Sequence, residues 1–150
     1  MVPKTLTTDN LSRFIIAQEQ YYAAALSELN SGKKTSHWIW YVFPQLKDLG
    51  RSPTAKHFGL HGMIEARDYI AHPLLGPRYL ECCKALLLHR DKPVEAIIGG
   101  WVDKQKLRSS LTLMTEAGIG DVAELCLTLF YSDGRCELTE RILKGSLEGG

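Results

Sequence analysis

The sequence predicts an all-α fold, a single-domain array of roughly seven to nine short helices, and three observations predict it. Apolar residues recur at helical spacing along most of the chain. Proline and glycine mark short turns between the apolar stretches. No second strand-like segment exists to pair with the one ambiguous stretch, and a lone strand is not stable. With 150 residues, 45% of them hydrophobic, the chain can bury one substantial core. No repeat, low-complexity linker or boundary divides it, so residues 1–150 are read as one helical domain with an ordered core over about 9–145 and flexible ends. Short helices joined by short turns suit a multihelical array better than a four-helix bundle.

Leu11, Phe14, Ile15, Tyr22, Ala25, Leu26 and Leu29 lie at helical spacing, with Asp9 or Asn10 available as a cap and Asn30-Ser31-Gly32 to close the helix. The block Trp38-Ile39-Trp40-Tyr41-Val42-Phe43 is rich in strand formers, yet Ser36 is a good helix cap and Pro44 a good stop, which favours a short buried helix. Ser52-Pro53 pairs a cap with a first-turn proline. The pattern then runs over 55–58 and 63–70 until His72-Pro73 breaks it. Pro77 opens a helix through Leu80, Cys83 and Leu87, and Pro93 opens another over 94–98 that Gly99-Gly100 closes. Leu107, Ser110, Leu111 and Met114 share a face of a longer helix with Gly118 beyond it. Asp121 caps a helix over 122–131, Ser132-Asp133-Gly134 reads as a turn, and 138–144 forms a last helix closed by Gly145.

Acidic and basic residues nearly cancel, leaving a formal charge of +1. That gives no field to draw the chain to nucleic acid or an anionic membrane. No segment approaches the roughly 20 apolar residues of a membrane span, and the N-terminus lacks the apolar stretch of a signal peptide. Cys82, Cys83, Cys126 and Cys136 show no C-x-x-C spacing and no nearby paired histidines, so neither metal nor cofactor is expected. They read as reduced core cysteines of a soluble cytoplasmic protein. Residues 147–150 read as a polar, glycine-rich tail.

Chemistry is concentrated in four places. Trp38 and Trp40 lie among six successive aromatic or branched residues, which cannot all face one side of a helix, so some rings must meet a second surface or a cavity. His37 and Gln45 stand at the ends of that block. Lys106, Arg108, Ser109 and Ser110 combine cationic and hydroxyl donors that suit a phosphate or carboxylate; the serines could equally bond back to the preceding turn. Arg51 and Ser52 precede a helix N-terminus, where free amides favour an anion. Gln18, Glu19 and Tyr22 place an amide, a carboxylate and a phenol together, with Glu19 or His37 as a weak candidate base and a structural ion pair as the plainer role. No nucleophile elbow, phosphate-binding glycine loop, dinucleotide fingerprint or zinc-protease motif occurs.

The blocks Arg13-Phe14-Ile15-Ile16-Ala17-Gln18-Glu19, Ser36 through Gln45, Gly50-Arg51-Ser52, His72 through Arg78 and Lys106 through Leu113 together resemble domain-of-unknown-function family 1810, over about 11–143. The resemblance implies a multihelical, armadillo-like fold and no established activity. Members sometimes carry a calpastatin-like label, but such inhibitors are disordered repeats, and this apolar sequence lacks the composition of disorder. The chain departs from the family pattern around Gly99-Gly100-Trp101-Val102 and at Met114.

Two functions follow. In the first, a pocket takes a small anionic, phosphate- or nucleotide-like metabolite: Arg51, Lys106 and Arg108 hold the charge, Trp38 or Trp40 stacks on a ring, and Gln45, Ser52, Ser109 and Ser110 orient it. In the second, the same aromatics and arginines anchor a peptide or protein partner without catalysis. A deep pocket favours the first and an extended groove the second.

Overall fold

The computed structural model describes the backbone of residues 2–149 and the side chains of residues 11–145. Its described residues form nine α-helices and no strand. They are α1 (Val2–Asn30), α2 (Ile39–Val42), α3 (Pro53–His57), α4 (Met63–Ala71), α5 (Leu75–Leu87), α6 (Val94–Ile98), α7 (Trp101–Ala117), α8 (Asp121–Phe130) and α9 (Glu137–Gly149), with a 3₁₀ turn at Lys47–Leu49. The predicted all-α multihelical class is what the chain adopts, and the aromatic block is the short helix α2.

Several boundaries differ from the sequence reading. Helix α1 begins before Asp9 and Asn10, so neither caps it, and α9 runs through Gly145 rather than ending there. Asp121 is the first residue of α8 instead of its cap, because Gly120, at φ 112°, makes the turn that precedes it. The expected frayed ends fall largely on side chains outside the described residues. The caps that hold are Ser52, whose Oγ accepts the Ala55 amide at 3.0 Å, and the left-handed glycines Gly99 and Gly118 that end α6 and α7.

The buried residues join into one cluster. Helix α7 packs against α4, α6, α8 and α9, while α5 packs against α1, α4 and α8. Leu107, Ser110, Leu111 and Met114 of α7 are fully buried, as the periodicity required, and Leu113 is buried with them. Aromatic edges lock the other side: Phe14 meets Tyr69 edge-on with centroids 5.1 Å apart, and Phe43 meets Tyr79 at 5.4 Å. Gln18, buried on α1, donates to the Tyr41 carbonyl at 2.6 Å and lies 2.9 Å from the Tyr69 hydroxyl, tying α1 to α2 and α4.

Ser36 does not cap α2. It turns back to α1, where the Glu28 carboxylate collects the Thr35 and Ser36 amides, the Ser36 hydroxyl and the Trp38 indole N–H, all within 2.6–2.9 Å. Burial raises the Glu28 pKa, but these four donors outweigh it and hold the carboxyl at about 2, below its ordinary 4.5. A depressed pKa stabilises the fold above the unfolded value and loses that contribution as pH falls from about 4.5 towards 2. Glu28→Gln should therefore lower stability near neutral pH by about 2 kcal/mol and flatten the acid limb of the stability profile, measured by urea unfolding at stepped pH.

Candidate functional site

A cleft of about 560 Å³ opens where three segments meet. The first turns of α7 contribute Trp101, Val102, Gln105, Lys106 and Ser109, the connection from α2 into α3 contributes Gln45, Leu49, Arg51, Ser52 and Ala55, and the start of α9 contributes Cys136 and Leu138. The volume lies in the range of small-molecule sites, but the cleft is open along one side. A second hollow of about 470 Å³ continues past Leu49, Arg51 and Leu138 towards Asp48 and Lys56.

Each wall has its own local cause. Gln45 and Leu46 run extended beside Leu60: the Leu60 amide donates to the Gln45 carbonyl at 2.9 Å, and the Lys47 amide to the Leu60 carbonyl at 2.8 Å. Gly59 permits this approach, since a Cβ there would stand 2.3 Å from the Lys47 Cα. Ser52 then caps α3, leaving Arg51 exposed at the cleft mouth, with no hydrogen bond or ion pair among the described residues. Across the cleft the Lys106 ammonium lies 5.1 Å over the Trp40 ring and 3.9 Å from Asp103. Asp103 has the shorter contact with Lys34, at 2.9 Å, which leaves Lys106 only weakly paired.

The third wall depends on Arg108. Its Nε donates to the Gly134 carbonyl at 2.8 Å and its Nη2 to the Arg135 carbonyl at 3.0 Å, pinning the turn before α9 onto α7. Thr112 Oγ1 accepts the Cys136 amide at 2.9 Å, and Arg135 bridges Glu116 and Glu124. The Cys136 sulfur thereby lies 3.4 Å from the Ser109 hydroxyl, facing the cleft. Burial pushes the Cys136 thiol up, but the Ser109 and Thr139 hydroxyls and the backbone of Thr139 and Leu138 outweigh it and hold the thiol below its ordinary value.

The structure brings Gln45, Arg51, Ser52, Lys106 and Ser109 together, and Trp40 adjoins them beneath Lys106. It does not bring the others. Trp38 is buried with its N–H on Glu28, and Ser110 is buried with its hydroxyl 2.9 Å from Tyr79 Oη. Arg108 serves the turn at 134–135. His37 and Glu19 are exposed and line no part of the cleft. Sequence reasoning missed Trp101, Val102, Leu138 and Cys136. The signal for Trp101 was its place immediately after Gly99-Gly100, at the start of α7. For Cys136 it was a position just past a predicted turn and directly before a helix with an acidic first turn. Three of the four cysteines fit the core reading: burial holds Cys82 up at about 12 and pushes Cys83 well above its ordinary value, and Cys126 is fully buried. Cys136, half-buried in the cleft, does not.

Because Arg108 supports a wall, Arg108→Ala should cost about 2 kcal/mol of stability, whereas Arg51→Ala should stay within about 0.5 kcal/mol of the parent, both read by denaturant unfolding.

Among the described residues no helix is long and apolar enough to cross a membrane, and no cluster of acidic, histidine or cysteine side chains could hold a metal ion. No functionally curated protein matches the chain at a significant level. Among solved structures, the crystal structure of the conserved hypothetical protein Rv1873 from Mycobacterium tuberculosis is similar, at 38% identity and a TM-score of 0.87 over 90% of this chain and 96% of that one. Residues 8–143 match the family described as protein of unknown function DUF1810, and the chain belongs to that family.

Proposed function

We propose that the cleft binds a small molecule that joins an anionic, phosphate- or carboxylate-like group to an apolar or ring-bearing part. The observation that carries this reading is the convergence of Arg51 and Lys106, 55 residues apart in sequence, on one concavity, neither firmly neutralised by an acidic partner. A guanidinium offers a planar fork to an oxyanion and an ammonium adds a point charge. Ser109, Gln45 and Gln105 supply neutral polar groups beside them, and Leu49, Trp101 and Leu138 supply apolar surface for the rest of the ligand. Trp101, rather than Trp38 or Trp40, is then the ring available for stacking; Lys104 lies 5.4 Å over it.

One observation favours the interaction-module reading instead. Trp101, Val102 and Leu138 are 68%, 63% and 54% exposed and stand together on the rim of an open cleft, which is the profile of an anchor patch for a peptide or protein.

Thermal unfolding against phosphates, nucleotides, ADP-ribose-like metabolites and dicarboxylates separates the two. A ligand at a hundred times its Kd stabilises the folded state by about 2.7 kcal/mol, a midpoint rise on the order of 5–10 °C for a chain of this size. The expected result is a rise with one chemical class that disappears in Arg51→Ala and in Lys106→Ala. A midpoint unmoved across the panel overturns the small-ligand reading in favour of the interaction module.

A further inference from the structure

We propose that Cys136 is a modification site, a cleft-facing thiol that forms mixed disulfides with small anionic disulfides. The anionic preference rests on the reading of Arg51 and Lys106 given above, while the reactivity of the sulfur rests on its own surroundings.

Cys136 immediately precedes α9, a helix of 13 residues, and is one of the residues that line the cleft. Two hydroxyls converge on it. Ser109 Oγ is 3.1 Å from the Gln105 carbonyl and 3.4 Å from the sulfur. Its single proton serves the carbonyl while the sulfur is a thiol and turns to the sulfur when it is a thiolate. Thr139 is fully buried, its Oγ1 has no hydrogen-bond partner, and its hydroxyl favours the charged form of the sulfur. A buried hydroxyl left unsatisfied costs stability unless an acceptor arrives, and a sulfur anion is such an acceptor. The neighbouring charges also permit it. Glu137 and Glu140 of α9 lie 3.7 Å from Arg141 and 3.9 Å from Arg135, and Lys106 and Arg51 face the same cleft.

The step is a thiol–disulfide exchange. The Cys136 thiolate attacks one sulfur of the incoming disulfide, a new S–S bond forms, the old one breaks, and the departing thiolate carries away the electron pair. Cys136 is oxidised and one reagent sulfur reduced, with no further reactant. Cys82, Cys83 and Cys126 are fully buried, so no second thiol lines the cleft to displace the adduct.

The test compares two disulfides on the intact protein. Dithiobis(nitrobenzoate) is aromatic and carries two carboxylates; dithiodipyridine is aromatic and uncharged. The expected result with either is a fast phase of one thiol, with the remaining three reacting only after denaturation. Peptide mass analysis of the parent protein should locate the adduct at Cys136, and Cys136→Ser should remove the fast phase. Ser109→Ala should slow that phase at neutral pH and move its pH profile upward. Arg51→Ala and Lys106→Ala should each slow the charged reagent at least about threefold relative to the neutral one. If no thiol of the folded protein reacts faster than those of the unfolded chain, or the adduct lies on another cysteine, the modification site is overturned. If Cys136 reacts quickly but its preference between the reagents does not change in Arg51→Ala or Lys106→Ala, the anion reading is overturned and the reactive thiol stands.

Discussion

The cleft depends first on the fork that Arg108 extends from α7 to the carbonyls of Gly134 and Arg135. Those carbonyls belong to a turn whose own amides offer no regular structure to satisfy them, so a charged planar donor with fixed geometry does so. Arg108 lies between the residues that build the cleft: two and three residues earlier on α7 come Lys106 and Gln105, and directly after it comes Ser109. Pinning the turn at 134–135 therefore fixes Cys136 and Leu138 relative to the same helix that carries the ammonium and the hydroxyl. Thr112, one turn further on, accepts the Cys136 amide and donates its own proton to the Arg108 carbonyl. A cationic side chain that looks like a ligand group in the sequence is thus a strut.

The opposite wall is held without charge. Gly59 allows the chain to come within contact of Lys47, the amides exchanged between 45–47 and Leu60 set the direction of the connection, and Ser52 stops it by capping α3. Leu46 and Leu60 are buried beneath, so the polar backbone bonds are shielded from water and the wall is a continuation of the core. Arg51 emerges from this wall on the residue before the cap. One wall is fixed by an ionic strut and the other by backbone pairing over apolar side chains, and Arg51 and the weakly paired Lys106 stand on residues that neither device needs.

Much of the fold was legible because periodicity and punctuation agree. Proline at the start of α3, left-handed glycine after α6 and α7, and the apolar face of α7 each express a local preference that the packing reinforces. The boundaries that escaped the sequence reading are those set by partners elsewhere. Ser36 looks like a cap until Glu28 draws it away, and Asp121 looks like one until Gly120 supplies the turn. Of the candidate site, the polar residue types were legible and their roles were not. Arg51 and Arg108 are the same residue in similarly polar surroundings, and Ser109 and Ser110 are neighbours. A rotation of about 100° per residue on α7 sends Ser109 to the cleft and Ser110 to Tyr79 in the core.

Cysteine 136 shows the same limit from the other side. A cysteine and a small apolar residue are interchangeable in an apolar pattern, and three of the four here behave that way, fully buried. What separates the fourth is a set of donors drawn from two helices: Ser109 on α7, and the Thr139 hydroxyl with the first amides of α9. Burial alone would push this thiol up, as it does Cys82 and Cys83, but here those donors outweigh desolvation and hold it down. Of these donors only Ser109 comes from another helix, so its share exists only while α9 is docked against α7, as the Arg108 fork and the Thr112 hydroxyl hold it. The strut that shapes the cleft therefore also holds the Ser109 hydroxyl beside the sulfur of Cys136.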